Sequence, residues 1–237
     1  MATSLPIPGP LQPARFVDRP NRFIVRARLD PDDRLITAHL PDPGRLKELL
    51  TPGARMWVRS EADPARKTEW TAVLLEHPGG LIALQTTLAN GLVHRALVEE
   101  TLTEVDGWNL ERPEAAIGRS RFDFLLSQLT GEKMVVEVKS VTMVDGQIAR
   151  FPDAPSERAA RHLKEMAELA NKTGWFATAV FVVQRVDAQR FSPAKDIDPA
   201  FAAALAEAKA AGVRLVARRC QVTLAEMVLG MPLPVVL

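Results

Sequence analysis

The chain has a single cysteine, Cys220, and no tyrosine among its 237 residues. One cysteine excludes an internal disulfide and fits a reducing compartment, so a cytoplasmic location is expected and Cys220 reads as a core residue. No apolar run approaches the ~20 residues that a membrane-crossing helix needs, and residues 1–14 lack a basic region followed by an apolar stretch. Neither a membrane span nor a signal peptide is expected, and the prolines of that segment point to an extended arm. Net charge is nearly absent too, with 30 Lys and Arg against 29 Asp and Glu. That balance neither supports nor excludes nucleic acid, whose recognition depends on local clusters of basic residues. There is no nucleotide-binding glycine loop and no evident sugar-binding aromatic cluster, so a small-molecule enzyme ranks last among the readings.

What the chain does have is SRFDFLLSQLTGEKMVVEVKSVT, residues 120–142. Two apolar runs, 121–126 and 134–141, flank a polar connection containing Gly131, the pattern of a β-hairpin. Side chains alternate along a strand, which predicts Phe122 and Phe124 on one face and Asp123 on the other. The same alternation puts Glu137 and Lys139 together, opposite Val136 and Val138. Charges in strands this apolar need a compensating partner, and a divalent cation with oxygen ligands supplies one. Asp123 followed by Glu137-Val138-Lys139 resembles the signature of the PD-(D/E)xK nuclease superfamily. The resemblance implies that Asp123 and Glu137 hold Mg2+ or Mn2+, while Lys139 orients the attacking water and offsets the scissile phosphate. The alternative is a strand whose solvent-facing positions happen to be charged. Electrostatics adds that, without a cation, at least one of the two carboxylates has a raised pKa, and that neutralising either leaves the fold as stable or more so.

Residues 14–86 read as all β, with six short strands in RFVD, RFIVRARLD, RLITAHL, ARMWVRSE, TAVLLEH and LIALQT. Five or six strands this short imply a small barrel or sandwich, with residues 45–50 as a short helix capping it. Alternation over residues 22–29 places Arg22, Arg26 and Arg28 on one strand face, a way for an OB-type barrel to hold nucleic acid or simply a solvated exterior. From Leu92 the period turns helical, with Leu97, Val98, Leu102 and Val105 forming an inward stripe and Glu99 or Glu100 within reach of the carboxylates. The boundary falls there, giving domains 1–87 and 88–237. Ser156 reads as the N-cap of an amphipathic helix whose first turns carry Arg158, Arg161 and His162, a phosphate-binding cluster or a solvated basic face. Residues 177–183 are a strand buried on both faces, and Asp198-Pro199 opens a second helix that ends near Gly212. From the first helix on, the order is α-β-β-β-α-β.

Taken together, SRFDFLL, VEVKSVTM, FPDAPSER, FVVQR and RFSPAKDIDPAF resemble the sugar fermentation stimulation protein A (SfsA) family over nearly the whole chain. That resemblance implies an α+β protein, an N-terminal OB-like barrel followed by a nuclease-like αβββαβ domain, that binds DNA without marked sequence preference. Arg22, Arg26, Arg28, Arg121, Arg158, Arg161 and His162 are the expected nucleic-acid contacts. Two departures stand out: Ala159 where a glycine is more usual, and Asp42-Pro43-Gly44 in place of Asn-Thr-Gly. The expected function is metal-dependent phosphodiester hydrolysis, the alternative a non-catalytic DNA-binding regulator, of sugar metabolism for example, that keeps the fold. No membrane partner is expected, and the oligomeric state is left open with a homodimer among the options.

Overall fold

A computed structural model describes residues 2–237. After a short first strand, β1 (Ser4–Pro6), come β2 (Gln12–Asn21), β3 (Ile24–Leu29), β4 (Leu35–His39), β5 (Arg55–Ser60), β6 (Trp70–His77) and β7 (Gly80–Ala83). These six are the strands expected from alternation. They pair in the order β4-β3-β2-β5-β6-β7, and a parallel pairing of β4 with β6 closes the first five into an OB-type barrel. Val25, Ala27 and Leu29 point inward with Phe16, Met56 and Leu75 to fill it. Residues 45–50 form a single turn rather than the expected helix: Leu50 N–H donates to the Leu46 carbonyl, but Leu46 has φ 50°, outside the right-handed helical region. A distant contact sets this course, since Leu46 N–H also donates to Asp153 Oδ2 at 3.1 Å. The buried Leu46 and Leu49 still belong to the barrel core.

The second half comprises α1 (Thr86–Val98), β8 (Asn109–Ile117), β9 (Ser120–Ser127), β10 (Lys133–Val141), β11 (Met143–Asp145) and β12 (Ile148–Phe151). It continues with α2 (Glu157–Ala170), β13 (Trp175–Val183), β14 (Arg190–Pro193), α3 (Pro199–Ala210), β15 (Arg214–Val222) and β16 (Glu226–Leu233). The expected α-β-β-β-α-β order is present, interrupted by β11 and β12, which form a small sheet with β14. Seven strands pair in the order β1-β16-β15-β13-β10-β9-β8, with β10, β13 and β15 mutually parallel. The extended arm is thus an edge strand of the second sheet, and β16 was not anticipated. Both N-caps are as read: Ser156 Oγ accepts from Ala159 N–H and Asp198 Oδ1 from Phe201 N–H.

Helix α1 starts six residues earlier than expected. Its inward stripe is Leu88, Ala89, Leu92, Val93, Ala96 and Leu97, so Val98 is 61% exposed instead of inward, and Leu102 and Val105 lie beyond the helix end. Two apolar layers cover the seven-stranded sheet. One joins α1 to Val136, Val138 and Val180 and continues into Trp57, Val73 and Ala83 of the barrel, so the two halves share a core that also contains the buried Cys220. The other packs Leu163 and Met166 of α2 and Phe201 and Leu205 of α3 on Phe122, Val135 and Phe181. β13 is buried on both faces, as its composition requires. Among the described residues no helix is long and apolar enough to cross a membrane.

Candidate functional site

The antiparallel ladder of β9 with β10 runs from Ser127–Lys133 to Phe124–Val136 and stops. Beyond it, Val138 N–H donates to Asp123 Oδ2 at 2.7 Å, so a side-chain carboxylate takes the place of the next backbone acceptor. The ladder with β8 is irregular here too: Asp123 has no Cα partner between the Pro113–Phe124 and Ala115–Phe122 pairs, and Glu114 has φ 52°. Phe122 and Phe124, expected on one face, enter opposite cores, Phe122 under α2 and Phe124 beside α1. Asp123 is held from its other side by Asn90 Nδ2, which donates to Oδ1 at 2.6 Å. Asn90 fills the place considered for Glu99 or Glu100; Glu99 instead accepts from Arg95 and Thr3. His94 is exposed and stacks on Phe124.

Glu137 and Lys139 lie as expected on the face opposite Val136 and Val138. Glu137 is only 4% exposed, and its Oε1 accepts from Lys139 Nζ and from His162 Nδ1, the latter at 2.7 Å. Its Oε2 is buried with no partner among the described residues. His162 is itself buried at 3% exposure, which corrects its reading as a nucleic-acid contact: it supports Glu137 from α2. The two carboxylates titrate in opposite directions. Burial, reinforced by the Glu137 charge, pushes Asp123 up to about 6. Burial acts the same way on Glu137, but the His162 hydrogen bond and the Lys139 charge outweigh it and hold Glu137 below its ordinary value. The raised carboxyl expected from crowding is therefore Asp123, whereas the bonds from His162 and Lys139 to Glu137 argue against the companion expectation that neutralising Glu137 is harmless.

These groups line a cavity of about 340 Å³ between the barrel and the second domain. Arg22 lines it from the barrel, where it lies in the turn between β2 and β3 rather than on the expected strand face; its Nε donates to the Pro43 carbonyl. Arg26 and Arg28 do share an exposed face, but each is paired, with Asp18 and Asp33. Arg121 is paired with Glu114. Arg158 lines the cavity, exposed, whereas Arg161 lies in a neighbouring groove, so α2 separates three basic residues expected to act together. Asp42 and Asp153 approach so closely at Gly44 that a Cβ there would come within 2.6 Å of Asp153 Oδ2 and 2.9 Å of Asp42 Oδ1. Burial raises Asp42 to about 6 as well. Ala159 is buried at the cavity wall.

The donor set suits a hard divalent cation. Glu137 Oε2 is unpaired, Asp123 keeps a free lone pair on each oxygen, and the surroundings are polar. Among the described residues no group of three or more His, Cys, Asp or Glu side chains converges, so a cation here would rely on water for much of its coordination. Asn90 and His162 were missed in these roles because each meets its carboxylate from a helix far away in sequence. An earlier start for α1, at Thr86, would have exposed Asn90 as a polar residue beside its buried stripe.

Two family descriptions match the chain, the SfsA N-terminal OB domain over residues 17–84 and the sugar fermentation stimulation protein RE domain over residues 87–226. A sugar fermentation stimulation protein homolog from Shouchella clausii is 44% identical over 96% of this chain and 98% of its own. One from Methanothermobacter thermautotrophicus is 37% identical over 98% of this chain and 95% of its own. The solved structure of Pyrococcus furiosus SfsA in complex with Ca2+ matches with a TM-score of 0.89 at 31% identity, covering all of both chains. An OB barrel joined to an αβββαβ domain, with these matches across both halves, makes this chain a member of the sugar fermentation stimulation protein (SfsA) family.

Proposed function

We propose that this protein binds DNA with little sequence preference and hydrolyses phosphodiester bonds with a divalent cation, Mg2+ or Mn2+, held by Asp123 and Glu137. The observation that carries this reading is the buried, unpaired Glu137 Oε2, set in one cavity with a second carboxylate and with Lys139, Arg22 and Arg158. The Ca2+ in the Pyrococcus relative is a cation of the same hard class. When bound, such a cation supplies Lewis-acid polarisation and a water of lowered pKa. The chain's own residues do the rest. His162 and Lys139 keep Glu137 ionised, while Asn90 and Val138 N–H fix the orientation of Asp123. Lys139 orients the attacking water and offsets charge on the scissile phosphate. Arg22 and Arg158 receive flanking phosphates, contacts that carry no sequence information. In this reading residues 1–87 are the nucleic-acid-binding barrel domain and 88–237 the nuclease domain, with β1 lent to the second sheet.

Plasmid and single-stranded DNA incubated with Mn2+, Mg2+ or EDTA provide the test. Cleavage is expected with either metal, and none with EDTA or in Asp123→Ala. Absence of metal-dependent cleavage by the wild type, or its persistence in the variant, removes the enzymatic claim. A second reading, a DNA-binding regulator that keeps the fold without catalysis, is favoured by the two-carboxylate donor set. It expects binding that weakens steeply with salt and no cleavage under any metal.

A further inference from the structure

Beside the cavity lies a second groove, of about 510 Å³, to which Arg119, Arg161, Lys164 and Lys172 contribute four cations and Glu165 and Glu168 two carboxylates. The two spaces are one residue apart along β9, since Phe122 lines the groove and Asp123 the cavity. The His162 ring packs on Phe122 and bonds Glu137, and so forms the wall between them. Along α2 the connection is a surface stripe at helical spacing, Arg158, Arg161, Glu165 and Glu168, continuing to Lys172 just past the helix end. Arg161 is 3.9 Å from Glu165; Arg119, Lys164 and Lys172 are exposed and have no ion-pair partner among the described residues.

We infer that a nucleic-acid strand engaged at the cavity continues over α2 into this groove, where Arg119, Lys164 and Lys172 bind its phosphates. The inference rests on the DNA-binding reading above and adds three contacts to it. The reach is adequate. Residues 158 to 164 span about 9 Å of helix and 158 to 170 about 18 Å, and at about 3.4 Å per nucleotide the longer span covers about five nucleotides. The groove's four cations outnumber its two carboxylates, and Arg119, Lys164 and Lys172 are in no ion pair among the described residues, whereas the barrel's Arg26 and Arg28 are already matched.

The experiment is fluorescence anisotropy of a labelled single-stranded 12-mer with millimolar Ca2+, titrated across salt, for the wild type, the Arg119→Ala/Lys164→Ala/Lys172→Ala triple variant and Glu168→Lys. Removing three phosphate contacts flattens the slope of log Kd against log salt by about 2 and weakens binding by about a hundredfold, whereas Glu168→Lys steepens the slope by about 0.7. All four side chains are exposed, so the variants keep the fold, which their unfolding curves verify. Tight wild-type binding with an unchanged slope in the triple variant overturns the groove alone. A wild type that binds no 12-mer overturns both the groove and the reading beneath it.

Discussion

The barrel's outer face and the cavity beside it hold similar charges in opposite states. On β3, Arg26 and Arg28 meet Asp18 and Asp33, carboxylates no more than eight residues away, across the hairpin or its turn. In the cavity, Asp123 and Glu137 draw partners from α1 and α2 as well as from β10, and the matching is incomplete: one oxygen of Glu137 has no partner among the described residues and Asp123 is pushed up to about 6. Local pairs neutralise each other and leave little capacity for a ligand. The cavity retains that capacity, and this difference is why the proposed site is put at the junction of the barrel with the second domain rather than on the barrel's basic strand.

The sharpest way to break the comparison is to neutralise the paired member of the cavity. Glu137→Gln forfeits charge-assisted bonds from His162 and Lys139 and is expected to cost about 2–3 kcal/mol in denaturant unfolding with EDTA present. A loss below 0.5 kcal/mol, estimated as the size of an ordinary surface change, would place Glu137 with the barrel's charges.

Asp123→Asn should act in the other direction. A carboxyl whose folded pKa is raised binds more protons folded than unfolded, so its stabilising contribution is complete below about 3.8 and is lost as pH rises through about 6. At pH 7 in EDTA the Asn variant is therefore expected to be about 1–2 kcal/mol more stable than wild type, with the difference vanishing near pH 4. Glu137 has the opposite sign, its contribution being present at neutral pH and lost on acidification. A wild type that loses no stability relative to Asp123→Asn between pH 4 and 7 would contradict the assignment.

Much of this architecture is legible in the sequence because it is local. Alternation in RFIVRARLD and TAVLLEH marks the barrel strands, Ser156 and Asp198 mark helix starts, and the hairpin at Gly131 brings Asp123 toward Glu137-Val138-Lys139. What escaped depends on separation. Thr130-Gly131 can close a hairpin by itself, but nothing near His162 shows that it turns inward to a glutamate 25 residues back, or that Asn90 reaches an aspartate 33 residues on. The pairing of β1 with β16 joins nearly the two ends of the chain, and the loop at residues 45–50 bends toward Asp153 instead of forming a helix. Arg22 was assigned to a strand by alternation that ends where the turn begins.

Smaller effects sharpen the comparison on the binding side. Arg158→Ala is expected to weaken DNA binding by about fivefold, the loss of roughly 1 kcal/mol from a phosphate contact. The Arg26→Ala/Arg28→Ala double variant should stay within about twofold and within about 0.5 kcal/mol in stability, since exposed ion pairs contribute little. Anisotropy with a duplex and a single-stranded probe measures both, and the reverse ranking would return the DNA contact to the barrel's outer face.

The central claim is that Asp123 and Glu137 together bind a divalent cation, and thermal unfolding of the wild type, Asp123→Asn and Glu137→Gln, each with EDTA and with millimolar Mn2+, tests it most directly. A cation at 100 times its Kd that binds only the folded state adds about 2.7 kcal/mol, which is a rise of about 5–10 °C in Tm for a chain of this size. The wild type should show that rise and neither variant should. No rise in the wild type, or an equal rise in the variants, would contradict the claim and leave these residues as a charged strand face.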